Sequence, residues 1–206
     1  ALCQIKVPQL RFLAFNRKVS KVSHYKRFEL PKKTGGKRKI SAPLPFLKAV
    51  QYRLLEDILY KLEVQDTAYG FVPERSIVDN AKQHLNRAVV VNMDLKNFFP
   101  TITYRRVKGL FQSFGYAEKY ATILALLCTE PDVDAVKLDD QQYFVATGER
   151  FLPQGAPTSP VITNLLCRTL DKRLRGAAQQ NGFTFSRYAD DLTFSADADS
   201  KENLGK

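Results

Sequence analysis

The residues from 183 to 197 constrain the fold more than any other stretch of this chain. Apolar and polar residues alternate on both sides of a short polar tip, in the order FTFSRYADDLTFSAD. Such alternation is typical of strands that bury one face, and two short runs around a polar tip predict a β-hairpin. We expect Asp190 and Asp191 between the strands, at the tip. Because aspartate is common in turns, the pair alone does not establish a functional site.

A third aspartate follows an apolar, β-branched run earlier in the chain. The run AVVVNMDL at 88–95 has the pattern of a buried strand and ends near Asp94. A carboxylate is costly to bury alone, so we expect Asp94 at the rim of a sheet or beside a cation. If this strand neighbours the hairpin, three carboxylates converge, and a divalent cation would relieve their repulsion. Oxygen-rich sites suit Mg²⁺, and a pair of such ions can activate an attacking oxygen and stabilise a leaving one.

The rest of the chain mixes helices and short strands. Apolar spacing and end signals predict helices at 8–20, 46–62, 76–85, 103–114, 117–129 and 159–180, a basic hairpin at 24–43 and a strand at 141–147. We assign no structure after residue 197. The irregular order predicts an α+β fold, with helices on one face of a small antiparallel sheet.

The charge is distributed unevenly. The net charge is +11, and residues 1–60 hold 14 Lys or Arg against 3 Asp or Glu, so the excess lies in the first third. A basic region of this kind is typical of a protein with a polyanionic partner, such as nucleic acid or an anionic membrane, and charge alone leaves a plain solvated surface equally open. Three cysteines without a CxxC spacing indicate reduced thiols of a cytosolic protein, and no apolar run is long enough for a membrane span.

Three motifs in this order resemble the reverse transcriptase family. They are NMDLKNFFPTI at 92–102, QGAPTSPVITNLL at 154–166 and YADD at 188–191. DNAKQH at 79–84 is similar to the NAxxH signature of bacterial retron enzymes, and GFVPERSIVDNA and RYADDLTFSA are also retron-like. The resemblance spans roughly residues 24–197. It implies a right-hand polymerase with fingers and a palm, the small antiparallel palm sheet being backed by helices.

The resemblance also implies the chemistry, an RNA-directed DNA polymerase in which a primer 3′-oxygen attacks the α-phosphorus of a dNTP. Asp94, Asp190 and Asp191 match the carboxylates that hold two Mg²⁺ ions, which Mn²⁺ can replace. Asp94 and Asp190 would be direct ligands and Asp191 a less direct one. The backbone carbonyl of Leu95 would complete one metal shell.

Four residues match the nucleotide site of the family. Phe99 matches the aromatic residue that lies under the sugar and excludes a 2′-hydroxyl, and its neighbour Phe98 belongs either to this site or to the core. Gln154 would lie near the incoming nucleotide. Arg38 matches the arginine of the fingers that grips the triphosphate, for which a bidentate guanidinium is suited.

Six further residues are candidate nucleic-acid contacts: Lys32, Lys33, Lys37, Asn80, His84 and Tyr188. The lysines flank Arg38 in the basic hairpin, where contact with template or dNTP is expected. Asn80 and His84 share one helix face, so a structural role and an RNA contact both stay open. Tyr188 packs near the primer end or belongs to the sheet.

We expect residues 1–87 to form the N-terminal and fingers region and 88–206 the palm, with about 116–152 contributing to the fingers. The thumb of the family lies outside the resemblance, so this segment by itself should grip duplex weakly and polymerise poorly or not at all.

The expected partners are a structured non-coding RNA as template and primer, its DNA product, dNTPs and an effector protein, in the cytoplasm of a bacterium and away from membranes. The resemblance also implies a role in defence against phage. Two alternatives stay open, a non-catalytic RNA-binding palm scaffold and a fragment of a group II intron maturase.

Overall fold

The computed structural model describes residues 5–15, 18–31 and 35–203, and the side chains up to residue 200. The predicted nucleic-acid contacts Lys32 and Lys33 lie outside the described residues. In chain order the helices and strands are α1 (Val7–Ala14), β1 (Val19–Ser20), β2 (Tyr25–Pro31), β3 (Lys37–Pro43), α2 (Pro45–Asp57), α3 (Ile77–Lys82), β4 (Val89–Asp94), α4 (Tyr104–Ser113), α5 (Glu118–Cys128), β5 (Glu130–Leu138), β6 (Gln141–Phe151), α6 (Thr158–Leu166), α7 (Arg168–Gln180), β7 (Phe183–Tyr188) and β8 (Asp191–Ala196).

The chain forms two compact units. The first combines residues 1–59 with 99–159, and the second combines 60–98 with 160–206. Residues 60–87 therefore belong with β4, which differs from the predicted division between 87 and 88. The assignment of fingers and palm to these regions stays a prediction.

The first unit holds the basic hairpin and a second, longer one. β2 and β3 pair antiparallel from Tyr25 opposite Pro43 to Pro31 opposite Lys37, which confirms the predicted hairpin. The second hairpin joins β5 and β6, and β1 adds to the other edge of β6. The sequence predicted only residues 141–147 of this sheet and missed β5. Proline and two aspartates in the first half of β5 weaken the strand signal, since both residue types are depleted in strands.

The second unit is built on the antiparallel sheet β4-β8-β7. One face of the sheet packs on α7, where Phe185 and Leu192 bury against Ala178. β4 lies at the edge of the sheet, and Val90 and Met93 are 47% and 54% exposed. The expectation of a buried strand at 88–95 is therefore wrong. The apolar composition of β4 is typical of a central strand, but β4 pairs with only one strand, β8.

The predicted helices form, with two corrections. The helix expected at 8–20 ends at Ala14, and Val19–Ser20 form β1. The expected single helix at 159–180 is two helices, α6 and α7, separated at Cys167, whose ψ is −2°. Apolar residues recur on both sides of the break, so periodicity alone could not reveal it. α3 begins with the expected Ser76 cap, which accepts a hydrogen bond from the Asp79 N–H. Residues 198–203, where we assigned no structure, form a short 3-10 helix.

These elements confirm the α+β class with small antiparallel sheets. Among the helices of the described ranges, none is long and apolar enough to cross a membrane.

Candidate active site

The tip of the β7–β8 hairpin is a two-residue turn. Tyr188 pairs with Asp191, so the turn consists of Ala189 and Asp190. Asp191 is thus the first residue of β8, which corrects the expectation that both aspartates lie in the tip. Ala189 has a φ of +57°. Two-residue hairpin turns require a positive φ, but residues with a Cβ seldom adopt one. The surrounding structure must therefore hold this turn in place.

The end of β4 meets this turn. Asp94, the last residue of β4, pairs with Asp191, and the Leu95 N–H donates a hydrogen bond of 3.0 Å to the Asp190 carbonyl. Partners across antiparallel strands share a face, so Tyr188, Asp191 and Asp94 project from one face of the sheet. The hypothesis that strand 88–95 neighbours the hairpin is confirmed. We call Asp94, Asp190 and Asp191 the carboxylate edge.

The negative charges of the carboxylate edge repel one another. Partial burial and the charges of Asp190 and Asp94 raise the pKa of the Asp191 carboxyl. In the described segments, no three or more His, Cys, Asp or Glu side chains are arranged closely enough to hold a metal ion. The three carboxylates are therefore neighbours rather than a closed ligand shell. Their donor chemistry, mutually repelling carboxylate oxygens on an exposed rim, fits a hard divalent cation such as Mg²⁺ or Mn²⁺.

Gly70 supports the turn from behind, and sequence reasoning missed it. A Cβ added at Gly70 would lie 2.6 Å from the Ala189 nitrogen and 3.2 Å from the Tyr188 carbonyl carbon. Only glycine allows the two backbones to approach this closely. The preceding residues pair with β7, since the Arg187 N–H donates to the Thr67 carbonyl and the Tyr69 N–H donates to the Arg187 carbonyl. The retron-like stretch GFVPERSIVDNA begins with this glycine, which was the available signal.

Tyr188 lies beside another aromatic residue of the same unit. Its ring centroid is 6.3 Å from that of Phe71, which is 50% exposed and has a φ of +59°. Tyr188 thus belongs to the sheet while its ring stays partly accessible. A contact with the primer end stays a prediction.

The NAxxH-like residues face the sheet. His84 places Nδ1 2.7 Å from the Ser195 hydroxyl oxygen and Nε2 2.7 Å from that of Ser186. Burial and the charge of Arg87 lower the pKa of His84, which favours the neutral ring between the two hydroxyls. Asn80 is also buried. Of the two roles left open for this pair, the contacts of His84 favour the structural one, and the role of Asn80 stays open.

Gln154 lies against the basic hairpin in the first unit. Its carbonyl accepts a hydrogen bond of 2.8 Å from the Ser41 N–H. Gly155 has a φ of +117°, and a Cβ there would lie 2.9 Å from Cγ2 of Ile40. Gly155 therefore allows the backbone to approach β3, the strand that carries Arg38, closely.

Arg38 and Lys37 are both exposed on β3. Lys37 forms an ion pair of 2.8 Å with Glu29 across the hairpin. Such exposed pairs contribute little to stability, and a contact of Lys37 with template or dNTP stays a prediction.

The two phenylalanines after β4 differ in burial. Phe98 is 8% exposed, whereas Phe99 is half-buried. Phe98 therefore takes the core role that was one of its two alternatives. The role of Phe99 under the sugar stays a prediction.

The small antiparallel sheet with carboxylates at its hairpin tip is the arrangement that the resemblance implied, and comparison with known proteins identifies the family. The family model for "Reverse transcriptase (RNA-dependent DNA polymerase)" matches residues 30–205. The chain belongs to the reverse transcriptase family, as its motifs predicted.

Curated proteins similar to this chain include several retron enzymes, which confirms the predicted resemblance. The retron Mx162 reverse transcriptase of Myxococcus xanthus is 50% identical over 191 residues, covering 93% of this chain and 39% of the relative. The retron Mx65 enzyme of the same organism is 45% identical, covering 94% and 45%, respectively. The retron Ec86 enzyme of Escherichia coli is 35% identical, covering 94% and 54%. The chain thus spans about two-fifths to one-half of the length of these relatives.

Solved telomerase structures share the fold. Telomerase from Candida albicans, in complex with a fragment of telomeric RNA, matches with a TM-score of 0.54 at 11% identity, over 87% of this chain and 39% of that one. Apo telomerase from Candida tropicalis matches with a TM-score of 0.54 at 16% identity, over 87% and 45%. At such low identity the likeness shows the fold alone, and it confirms the right-hand polymerase class.

Proposed function

We propose that this chain is the fingers and palm part of a retron-type RNA-directed DNA polymerase. The observation that carries the proposal is the pairing of Asp94 with Asp191 beside the Asp190 turn, which gathers three carboxylates on one rim of the sheet. A scaffold that only bound RNA would gain nothing from negative charges there, because they repel phosphate.

The protein contributes position and charge to this reaction. Asp94 and Asp190 would hold two Mg²⁺ ions directly, with Asp191 in a supporting role and the Leu95 carbonyl as a further oxygen ligand. When bound, the ions supply activation of the primer 3′-oxygen and stabilisation of the leaving oxygen. The hydrogen bond from Leu95 to the Asp190 carbonyl fixes the turn against β4 before the substrate arrives. Such preorganisation lowers the barrier because little rearrangement is left to the reaction step.

The first unit supplies the proposed nucleotide contacts. Arg38 is exposed on the basic hairpin, where its guanidinium can bind triphosphate oxygens through two N–H groups. Gln154 and Phe99 would contact the base or sugar of the incoming dNTP, with Phe99 as the residue that excludes a 2′-hydroxyl. Lys32, Lys33 and Lys37 would neutralise template or triphosphate charge.

The retron relatives suggest the partners. We infer a structured non-coding RNA as template and primer, with DNA as the product, and an effector protein in a phage-defence system of the bacterial cytoplasm. The excess positive charge in residues 1–60 is compatible with a nucleic-acid partner.

Primer extension tests this proposal. The complete gene product, supplied with Mg²⁺, dNTPs and an RNA template, should extend a DNA primer, and Asp190→Ala should abolish extension. Asp199→Asn, which removes a charge from an exposed aspartate of the same unit, is the matched control and should extend normally. Equal extension by Asp190→Ala would contradict the assignment of Asp190 to the active site. No extension by the wild-type protein would instead support the RNA-binding scaffold.

A further inference from the structure

Arg187 is an unusual residue for a β-strand because its charged side chain is completely buried. It is 0% exposed, and so is Asp171 on α7. Arg187 Nε and Nη2 donate hydrogen bonds of 2.7 Å to the two carboxylate oxygens of Asp171. This bidentate pair fixes the guanidinium plane, because both N–H groups on one edge are committed to one carboxylate.

The remaining edge of the guanidinium points to the hairpin turn. Arg187 Nη1 donates a 2.8 Å hydrogen bond to the carbonyl of Ala189 and a 2.9 Å bond to Oδ1 of Asn164. Asn164 in turn donates from Nδ2 to the Gly70 carbonyl at 2.7 Å. Gly70 leaves no room beside the Ala189 nitrogen, since a Cβ added at Gly70 would lie 2.6 Å from it. The Ala189 carbonyl is thus hydrogen-bonded to Arg187, and its nitrogen lies against the Gly70 backbone.

This contact controls the direction of the chain at Asp190. The Ala189 carbonyl belongs to the planar peptide group that ends at the Asp190 Cα, so fixing the oxygen fixes that plane. Ala189 itself has the positive φ that costs energy for a residue with a Cβ. An external donor is therefore needed to hold the peptide in one orientation, and Arg187 supplies it.

Folding alone gives a weak reason for the buried pair. Replacing a buried ion pair with apolar residues of similar volume is often neutral or stabilising. An apolar pair would fill the same space between β7 and α7, but it would leave the Ala189 carbonyl without its Arg187 donor. The Arg187 guanidinium thus gives the turn a hydrogen bond that apolar packing cannot provide.

We propose that Arg187, oriented by Asp171, is a positioning residue that aims Asp190 for nucleotidyl transfer. The inference rests on the proposed polymerase function. Arg187 acts through the backbone of the turn and does not touch the substrate. Asn164 and Gly70 complete the support, and we call these four residues the turn clamp.

The double variant Arg187→Met/Asp171→Leu tests the proposal in the complete gene product. It removes both charges together, so no ion is left buried without a partner. We expect it to unfold in urea near the wild-type midpoint and to lose about 10- to 100-fold in kcat, the loss that a misplacement of about 1 Å can cause. The dNTP KM should change by less than about threefold, because the proposed dNTP contacts are elsewhere in the sequence.

A second variant and a second readout keep the test decisive. Arg187→Lys retains the charge beside Asp171 but cannot reproduce the bidentate pair together with the Ala189 bond, so its kcat should also fall. Binding of Mn²⁺, followed by the electron paramagnetic resonance of the free ion without nucleic acid, should weaken several-fold in both variants, because fewer molecules present Asp190 correctly.

The outcomes separate this inference from the proposed function. If the wild-type protein does not extend primers, the proposed polymerase function fails. If Asp94→Asn extends them as well as wild type does, the carboxylate edge is not the polymerase site. If Asp94→Asn is inactive while the folded double variant keeps wild-type kcat and Mn²⁺ affinity, only the role of Arg187 is overturned. Failure of both Arg187 variants to fold would also overturn it, because the pair would then serve folding itself.

Discussion

Adding one methyl group at Gly70 should displace the turn of Ala189 and Asp190. The Cβ of Gly70→Ala would lie 2.6 Å from the Ala189 nitrogen, whereas an unstrained contact needs about 3.5 Å. One of the two backbones must therefore move by about 0.9 Å. Gly70 does not have a positive φ, so the alanine introduces a steric clash and no backbone strain of its own.

The expected cost follows from this displacement. Overpacking of this kind destabilises a fold by about 1–3 kcal/mol. If the turn yields, the shift of nearly an ångström at Ala189 reaches Asp190 next to it and should lower kcat by about 10- to 100-fold. Single-turnover addition of one dNTP measures the rate, and urea unfolding measures the stability.

Gly176→Ala is the matched control for this experiment. Gly176 lies in α7 of the same unit, and a Cβ there would meet nothing within 4 Å. Alanine in a helix interior should stabilise the protein by about 0.5–1 kcal/mol and leave kcat unchanged. A Gly70→Ala protein with wild-type kcat and stability would refute the close approach behind the turn.

Two further predictions concern sugar selection and pH. Phe99→Ala should increase ribonucleotide incorporation relative to dNTP incorporation, and unchanged selectivity would move the 2′-hydroxyl barrier to another residue. His84 has a lowered pKa in the fold, so below its ordinary value of 6.5 the unfolded chain binds a proton that the native ring resists. Stability should therefore fall as the pH drops from about 6.5, and urea midpoints at pH 7.5 and 5.5 should differ more for wild type than for His84→Gln. An equal difference in both proteins would contradict this sign.

The sequence predicted the parts of the site that depend on local pattern. Alternation defined β7 and β8, and the apolar run ending at Asp94 defined β4. The cost of burying a carboxylate placed Asp94 at a rim. The length of the turn could not be predicted, because ADD between two strands fits both a two-residue and a longer tip. The pairing of Tyr188 with Asp191 decides it.

The support behind the turn depends on contacts between distant residues, and no local pattern encodes these. An arginine in a strand would be expected at the surface. Arg187 is buried instead, where it forms an ion pair with Asp171 and donates a hydrogen bond to Asn164. In the sequence, Gly70 looks like an ordinary turn glycine. The structure shows that glycine is required there because the backbone of Ala189 leaves no room for a Cβ. The break at Cys167 was hidden for a related reason, since the apolar pattern continues across it.

The most direct test of the carboxylate edge as a polymerase site is the rate of adding one dNTP to a primer on an RNA template. The complete gene product should perform this step with Mg²⁺, and Asp94→Asn should slow it by about 10³-fold or more, since metal stabilisation of the transition state is worth several kcal/mol. Binding of the primer–template should remain unchanged. A rate for Asp94→Asn within about threefold of wild type, a loss of less than about 0.7 kcal/mol, would contradict the assignment of Asp94, Asp190 and Asp191.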